Sequence, residues 1–155
     1  MVKSQKVDDI DIAIIRMLQA DGRRSYADIA TVLKLAPSTV QQRANRLIET
    51  GLLKITAVAD PIVLGVSALA TIAIKADGTR LREAAAAISK FSEVDYVVIC
   101  TGSYDILIEV ACKDNDHLLD FISDKLAEVE GVREIETFLC LRIVKDSYQW
   151  GLPNS

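Results

Sequence analysis

The stretch LAPSTVQQRANRL, residues 35–47, decides how the first third of the chain is read. On a helical wheel Val40, Ala44, Leu47 and Ile48 share one side, which must be the buried one. The opposite side carries Ser38, Thr39, Gln42, Asn45, Arg46 and Glu49, with Arg43 on the flank. Glu and Lys would suffice to solvate a helix. Gln, Asn and Arg can instead make two hydrogen bonds to one base edge, and Ser and Thr can reach bases or phosphates. A DNA-reading helix and a merely solvated one both fit, and residue type alone leaves the two open. The helix starts either with Pro37 in its first turn or with a capping box of Ser38 and Gln41, and Gly51 ends it.

Two helices precede it. Ile10, Ile14, Ile15 and Leu18 recur at helical spacing behind Asp8, Asp9 and Asp11, carboxylates that suit the positive end of a helix dipole, and Asp21-Gly22 stops that helix. A shorter helix spans Tyr26 to Leu33 with Ile29, Ala30 and Leu33 inward. Three short helices, the last polar on its outer side, make a helix-turn-helix whose third helix enters the major groove. Arg23, Arg24 and Lys54, with Lys3 and Lys6 on an amino-terminal arm, can ring that helix with phosphate contacts.

After Asp60-Pro61 and Gly65 the pattern turns to strands. Strand-like runs at 68–76, 94–102, 104–112 and 132–144 alternate with helical runs at 81–91 and 115–129, in the order β-α-β-β-α-β. The halves repeat at an offset of 38 residues, pairing Ile72 with Val110, Leu81 with Leu119, Ile88 with Leu126, Val94 with Val132 and Val97 with Ile135. That duplication fits an α+β, ferredoxin-like fold with two helices on one face of a four-stranded antiparallel sheet. The other face would present Tyr96, Val98, Cys100, Leu107, Phe138 and Cys140, more apolar surface than a lone domain leaves wet. A homodimer closed by the two sheets is the expectation.

Composition is compatible with this division. Of 155 residues, 50% are hydrophobic and 26% charged. The net charge of -4 hides an asymmetry: residues 1–60 carry 9 Lys and Arg against 7 Asp and Glu, and residues 61–155 carry 9 against 15. No secretory leader or membrane span is evident, and Cys100, Cys112 and Cys140, odd in number and set in apolar runs, read as buried thiols of a reducing cytoplasm. His117 is the one histidine, so a metal site or a Ser-His-Asp triad lacks partners; no cofactor motif is present and an enzyme is disfavoured. Glu128, Glu130, Glu134 and Glu136 read as solvated surface.

Between the two middle strands lies TGSYD, Thr101 to Asp105. A hairpin turn explains it, and so does a small-molecule pocket in which turn amides and the Asp105 carboxylate take the two ends of a zwitterion.

Taken together, DDIDIAIIRMLQADGRRSYADIATVLKLAPSTVQQRANRLIETGLL, then DPIVLG, then CTGSYDILIEV, resemble the Lrp/AsnC (feast/famine) family of transcriptional regulators from about Asp8 to Lys145. The resemblance implies a winged helix-turn-helix over residues 1–54, a hinge strand or linker over 55–65, and a βαββαβ effector and oligomerisation domain (RAM) over 66–155. It implies double-stranded DNA as partner, dimers that assemble further, often to octamers, and an amino-acid effector bound between dimers. Family recognition positions fall on Ser38, Thr39, Gln42, Arg43 and Arg46; effector positions fall on Gly102 and Asp105, with Thr101, Tyr104 and Thr137 beside them. Lys34 and Ala36 depart from the common Gly and capping Ser, which predicts a less tightly capped turn, and the hinge KITAV (54–58) is a residue short and lacks the usual Gly-Tyr. The main expectation is an effector-modulated transcription factor; the alternative is an effector-independent architectural protein that wraps DNA.

Overall fold

The computed structural model describes residues 7–145, so Lys3 and Lys6 of the expected arm, and the end of the expected last domain, lie outside the described residues. Three helices form first: α1 (Asp9–Ala20), α2 (Tyr26–Leu33) and α3 (Pro37–Glu49). Ile14, Ile15 and Leu18 of α1, Ile29 and Ala30 of α2, and Val40, Ala44 and Leu47 of α3 close one apolar core, with Leu53 behind them. Ile48, expected inside, is 38% exposed, because it lies at the rim of the stripe centred on Val40 and Leu47. Of the two starts expected for α3, the structure has the first. Pro37 occupies the first turn of α3 behind Ala36, with no side-chain cap, so Ser38 and Gln41 form no capping box. The capping box belongs to α1, where the Asp11 N–H donates to Asp8 Oδ1 at 2.9 Å and the Asp8 N–H to Asp11 Oδ2 at 3.3 Å.

Residues 53–60 carry neither helix nor strand, and 61–65 turn around Asp60, whose Oδ1 accepts the Ile62 N–H at 2.9 Å. Of the two forms expected for the hinge, strand or linker, no strand forms here, and none of the four strands among the described residues pairs with this stretch.

A second unit, Ala59–Val144, holds β1 (Ala68–Ala76), α4 (Leu81–Ile88), β2 (Val94–Ile99), β3 (Ile106–Cys112), α5 (Asn115–Asp120) and β4 (Val132–Leu139). The strands run antiparallel in the order β2-β3-β1-β4, the split arrangement that the duplication predicts. Val97, Ile108, Ile72 and Thr137 lie side by side in register, as do Ile99, Ile106, Ile74 and Ile135, and these rows face the helices. After α5 the chain continues as a π-helical segment, Phe121–Leu126, whose Phe121 is fully buried and meets Phe91 edge-on with ring centroids 5.7 Å apart. The widened turn breaks the repeat locally. Leu118 is buried and Leu119 is 63% exposed, so Leu119 is not the counterpart of the half-buried Leu81.

The open face of the sheet carries the predicted Tyr96, Val98, Leu107 and Phe138, but they share it with Thr71, Lys75, Glu109, Glu134 and Glu136 in the same register rows. Tyr96 and Phe138 are about half exposed. Of the cysteines only Cys112 is buried, with its thiol pushed up by that burial; Cys100 is half-buried and Cys140 exposed toward the strand ends, and all three are free thiols. Among the described residues no helix is long and apolar enough to cross a membrane, and no group of three or more His, Cys, Asp or Glu side chains is placed to hold a metal.

Candidate nucleic-acid interface and effector loop

The outer surface of α3 is a groove of about 580 Å³ lined by Gln42, Arg43, Asn45, Arg46 and Glu49. Ser38 is exposed and Thr39 half-buried at the amino end of the same helix. Gln42, Asn45 and Arg46 are exposed, as the wheel requires. The two arginines are already engaged, however. Arg43 Nη1 lies 2.7 Å from Asp8 Oδ2 and 2.9 Å from Asp11 Oδ1, and Arg46 Nη2 lies 2.5 Å from Asp11 Oδ2. The Asp11 side chain is 1% exposed, so these are partly buried, charge-assisted bonds between the first turn of α1 and the middle of α3. The Arg43 guanidinium, followed by the Asp11 N–H, holds the Asp8 carboxyl below its ordinary range, and the two carboxylates raise Arg43 in turn.

Sequence reading took Asp8, Asp9 and Asp11 as dipole partners and missed this clasp. The signal was available: Asp11 stands three, four and seven residues before Ile14, Ile15 and Leu18, placing a carboxylate on the apolar stripe itself. A charge buried there needs a countercharge from a neighbouring element, and α3 supplies it. Arg23 and Lys54 are exposed and Arg24 is half-buried.

The turn before α3 shows what the two departures cost. Lys34 adopts φ 55 and ψ 44, the left-handed region that favours glycine, and Leu35 N–H closes onto the Ala30 carbonyl at 2.9 Å. Ala36 then offers α3 no side-chain oxygen.

In the second unit, Thr101 to Asp105 joins β2 to β3, with Thr101 and Gly102 exposed and Gly102 at φ 134. Asp105 anchors the loop's base. Its Oδ2 accepts the Ala76 N–H at 2.9 Å, its N–H donates to the Ile74 carbonyl, and its own carbonyl accepts the Cys100 N–H. Tyr104 Oη donates to Glu136, which raises the phenol, and Lys75 Nζ lies 5.8 Å from the Tyr104 ring centroid and 2.7 Å from Glu134 Oε2. Glu134 and Glu136 are thus partners of the loop region, and Glu130 pairs with Arg80. Thr137 is exposed but registers beside Ile72 on the helix-facing side, whereas Glu136 registers beside Ala73 on the open side. Thr101, Gly102, Tyr104 and Asp105 are brought together; Thr137 belongs to the other face.

A three-helix head with a polar third helix, followed by a βαββαβ unit, defines a DNA-binding transcriptional regulator with a ligand-binding domain. Residues 7–48 match the AsnC-type helix-turn-helix domain and residues 69–150 match the Lrp/AsnC ligand binding domain. The chain belongs to the Lrp/AsnC family. It is 37% identical over 144 residues to an HTH-type transcriptional regulator of Pyrococcus horikoshii, covering 92% of this chain and 91% of that one. It is 36% identical over 142 residues to the regulator FL11 of Pyrococcus furiosus, covering 91% and 93%. Among solved structures it resembles the leucine response regulatory protein of Mycobacterium tuberculosis, with a TM-score of 0.84, 27% identity and coverage of 92% and 98%. It also resembles a transcriptional regulator of Neisseria meningitidis solved in complex with L-Met, with a TM-score of 0.82, 25% identity and coverage of 94% and 97%.

Proposed function

We propose that this chain is a cytoplasmic, sequence-specific regulator that reads double-stranded DNA through α3 and changes its assembly or DNA affinity on binding an amino acid at the Thr101–Asp105 loop. The observation that carries the DNA reading is the α3 groove. Gln42 and Asn45 side by side on an exposed helix face have the geometry for bidentate bonds to adenine, and Ser38 and Thr39 sit at the helix end that approaches phosphates. Arg43 is better suited to holding Asp8 and Asp11 than to contacting bases. The apolar residues of the open sheet face support a homodimer, whose two heads would meet successive major grooves, and further assembly of dimers, up to octamers, follows the family pattern.

Replacing Gln42 and Asn45 with Ala tests the reading. Preference for a duplex selected from a random pool should fall to that for arbitrary DNA while the oligomer stays intact; undiminished preference would refute it. The effector half is supported by the L-Met complex of the Neisseria relative and by the exposed loop tip, and titrating the twenty amino acids while following the melting temperature tests it. One observation favours the architectural alternative: Asp105 and Tyr104 already have partners within the chain. No melting shift with any amino acid would support that alternative.

A further inference from the structure

Asp8, Asp11, Arg43 and Arg46 form a neutral quartet in which two anions from the start of α1 meet two cations from α3. The members are not equivalent. Asp11 is buried, and a buried carboxylate stripped of its cations carries a large desolvation penalty, so at least one guanidinium must stay with it. Arg43 suits that part: its side chain is 27% exposed and it bonds both carboxylates through one nitrogen. Both arginines line the groove with Gln42 and Asn45, but Arg46 meets Asp11 through Nη2 alone and its side chain is 44% exposed. A guanidinium has five N–H donors in a rigid fork, so an anchor at one nitrogen still leaves donors for a second acceptor pair.

We infer that Asp11 is a positioning residue for DNA recognition. It pins Arg46 by one nitrogen and sets the rest of that fork beside Gln42 and Asn45, while Arg43 remains as the countercharge that keeps Asp11 buried. Arg46 is the guanidinium that meets DNA and Arg43 is not. The inference rests on the DNA reading of α3. The acceptor pair Arg46 meets is either the O6/N7 edge of guanine or two phosphate oxygens, and the two differ in their consequence. A guanine contact contributes only to the selected sequence; a phosphate contact contributes to every duplex.

The test uses the full chain and a duplex that the wild-type protein selects from a random pool, with affinities for that duplex and for an arbitrary one compared across a salt series. Asp11→Asn keeps the side-chain shape and removes the charge. Selected affinity relative to arbitrary affinity should fall about tenfold, the size of one good bidentate contact, with arbitrary affinity unchanged or raised. In an Arg46→Gln background Asp11→Asn should produce no further fall in that ratio, because it acts through Arg46. Arg46→Gln alone should lower the ratio about tenfold for a guanine contact, or lower both affinities and reduce the salt slope by about one for a phosphate contact, in which case Asp11→Asn follows the same pattern. Arg43→Gln, measured on folded protein, should lower the melting temperature and leave the ratio within about twofold. Parallel full losses from Asp11→Asn and Arg46→Gln that multiply in the double variant would overturn the inference. So would an Arg43→Gln effect on recognition as large as that of Arg46→Gln, a comparison that stands even if Asp11→Asn fails to fold. Failure of the wild-type chain to select any sequence would sink the DNA reading itself.

Discussion

Lys34 holds a left-handed backbone conformation with a full side chain, and Ala36 starts α3 without a capping oxygen. Each leaves stability unused. Ala36→Ser should stabilise the head by about 1 kcal/mol by offering its hydroxyl to an unpaired N–H of the first turn. Lys34→Gly should add about as much by relieving the Cβ penalty. Thermal melts of the two single variants and the double check both, and no gain from Ala36→Ser would mean that the first-turn N–H groups already have partners. These positions were visible in the sequence as departures from a family pattern, but the size of the effect needed the dihedral angles.

Glu93 is a different case at the same scale, since nothing in the sequence marked it. Its carboxylate is 5% exposed and accepts from Lys125 Nζ at 2.6 Å and Ser92 Oγ at 3.1 Å. His117 Nδ1 accepts the Lys113 N–H, so the ring's Nε2–H is the one turned to Glu93, at 3.2 Å. The Lys125 ammonium is the main cause that depresses Glu93 from 4.5 to about 2. A depressed carboxylate stabilises above its unfolded pKa and loses that contribution as pH falls through its folded one. The shift is worth roughly 3 kcal/mol at neutral pH and should vanish between about pH 4.5 and 2. Urea titrations of wild type and Glu93→Gln should therefore differ at pH 7 and converge toward pH 2; a constant difference across that range would contradict it.

Among the elements, strand and helix types followed from apolar periodicity, while their ends followed from which neighbours exist. The apolar run of the last strand continues to Val144, yet β4 stops at Leu139 and Leu141 and Val144 are over 90% exposed. Its sole neighbour β1 begins at Ala68, and the Cys140 N–H, donating to the Leu69 carbonyl at 2.7 Å, is the last bond that strand can accept. The second helical run is likewise legible as helix but not as a helix that widens at Phe121–Leu126, because period alone does not report an i→i+5 turn. The π segment decides which of two adjacent leucines is structural. Leu118→Ala should cost about 2–5 kcal/mol in urea unfolding, and Leu119→Ala within about 0.5 kcal/mol. Equal costs would place the widened turn elsewhere.

For the molecule as a whole, the order of elements and the internal duplication were enough to assign both architectures, since a 38-residue repeat of matched apolar positions admits few packings. A carboxylate on the apolar stripe of α1 was legible, but not that α3 supplies its countercharge, because that depends on which elements meet in space. On the open sheet face, Glu109 and Glu136, two residues from Leu107 and Phe138, follow from strand alternation alone. That face carries the proposed homodimer. Leu107 lies in its central rows beside Ala73 and Val98, so Leu107→Glu should shift the particle toward monomer in sedimentation while the far-ultraviolet spectrum is kept. An unchanged sedimentation coefficient would move the self-association surface off the sheet. Finally, the cluster closed by α1, α2 and α3 and the cluster beneath the sheet have no side chain in common. A substitution that repacks one cluster therefore leaves the other cluster's packing partners unaltered, so mutational tolerance can be mapped for each set of side chains by itself.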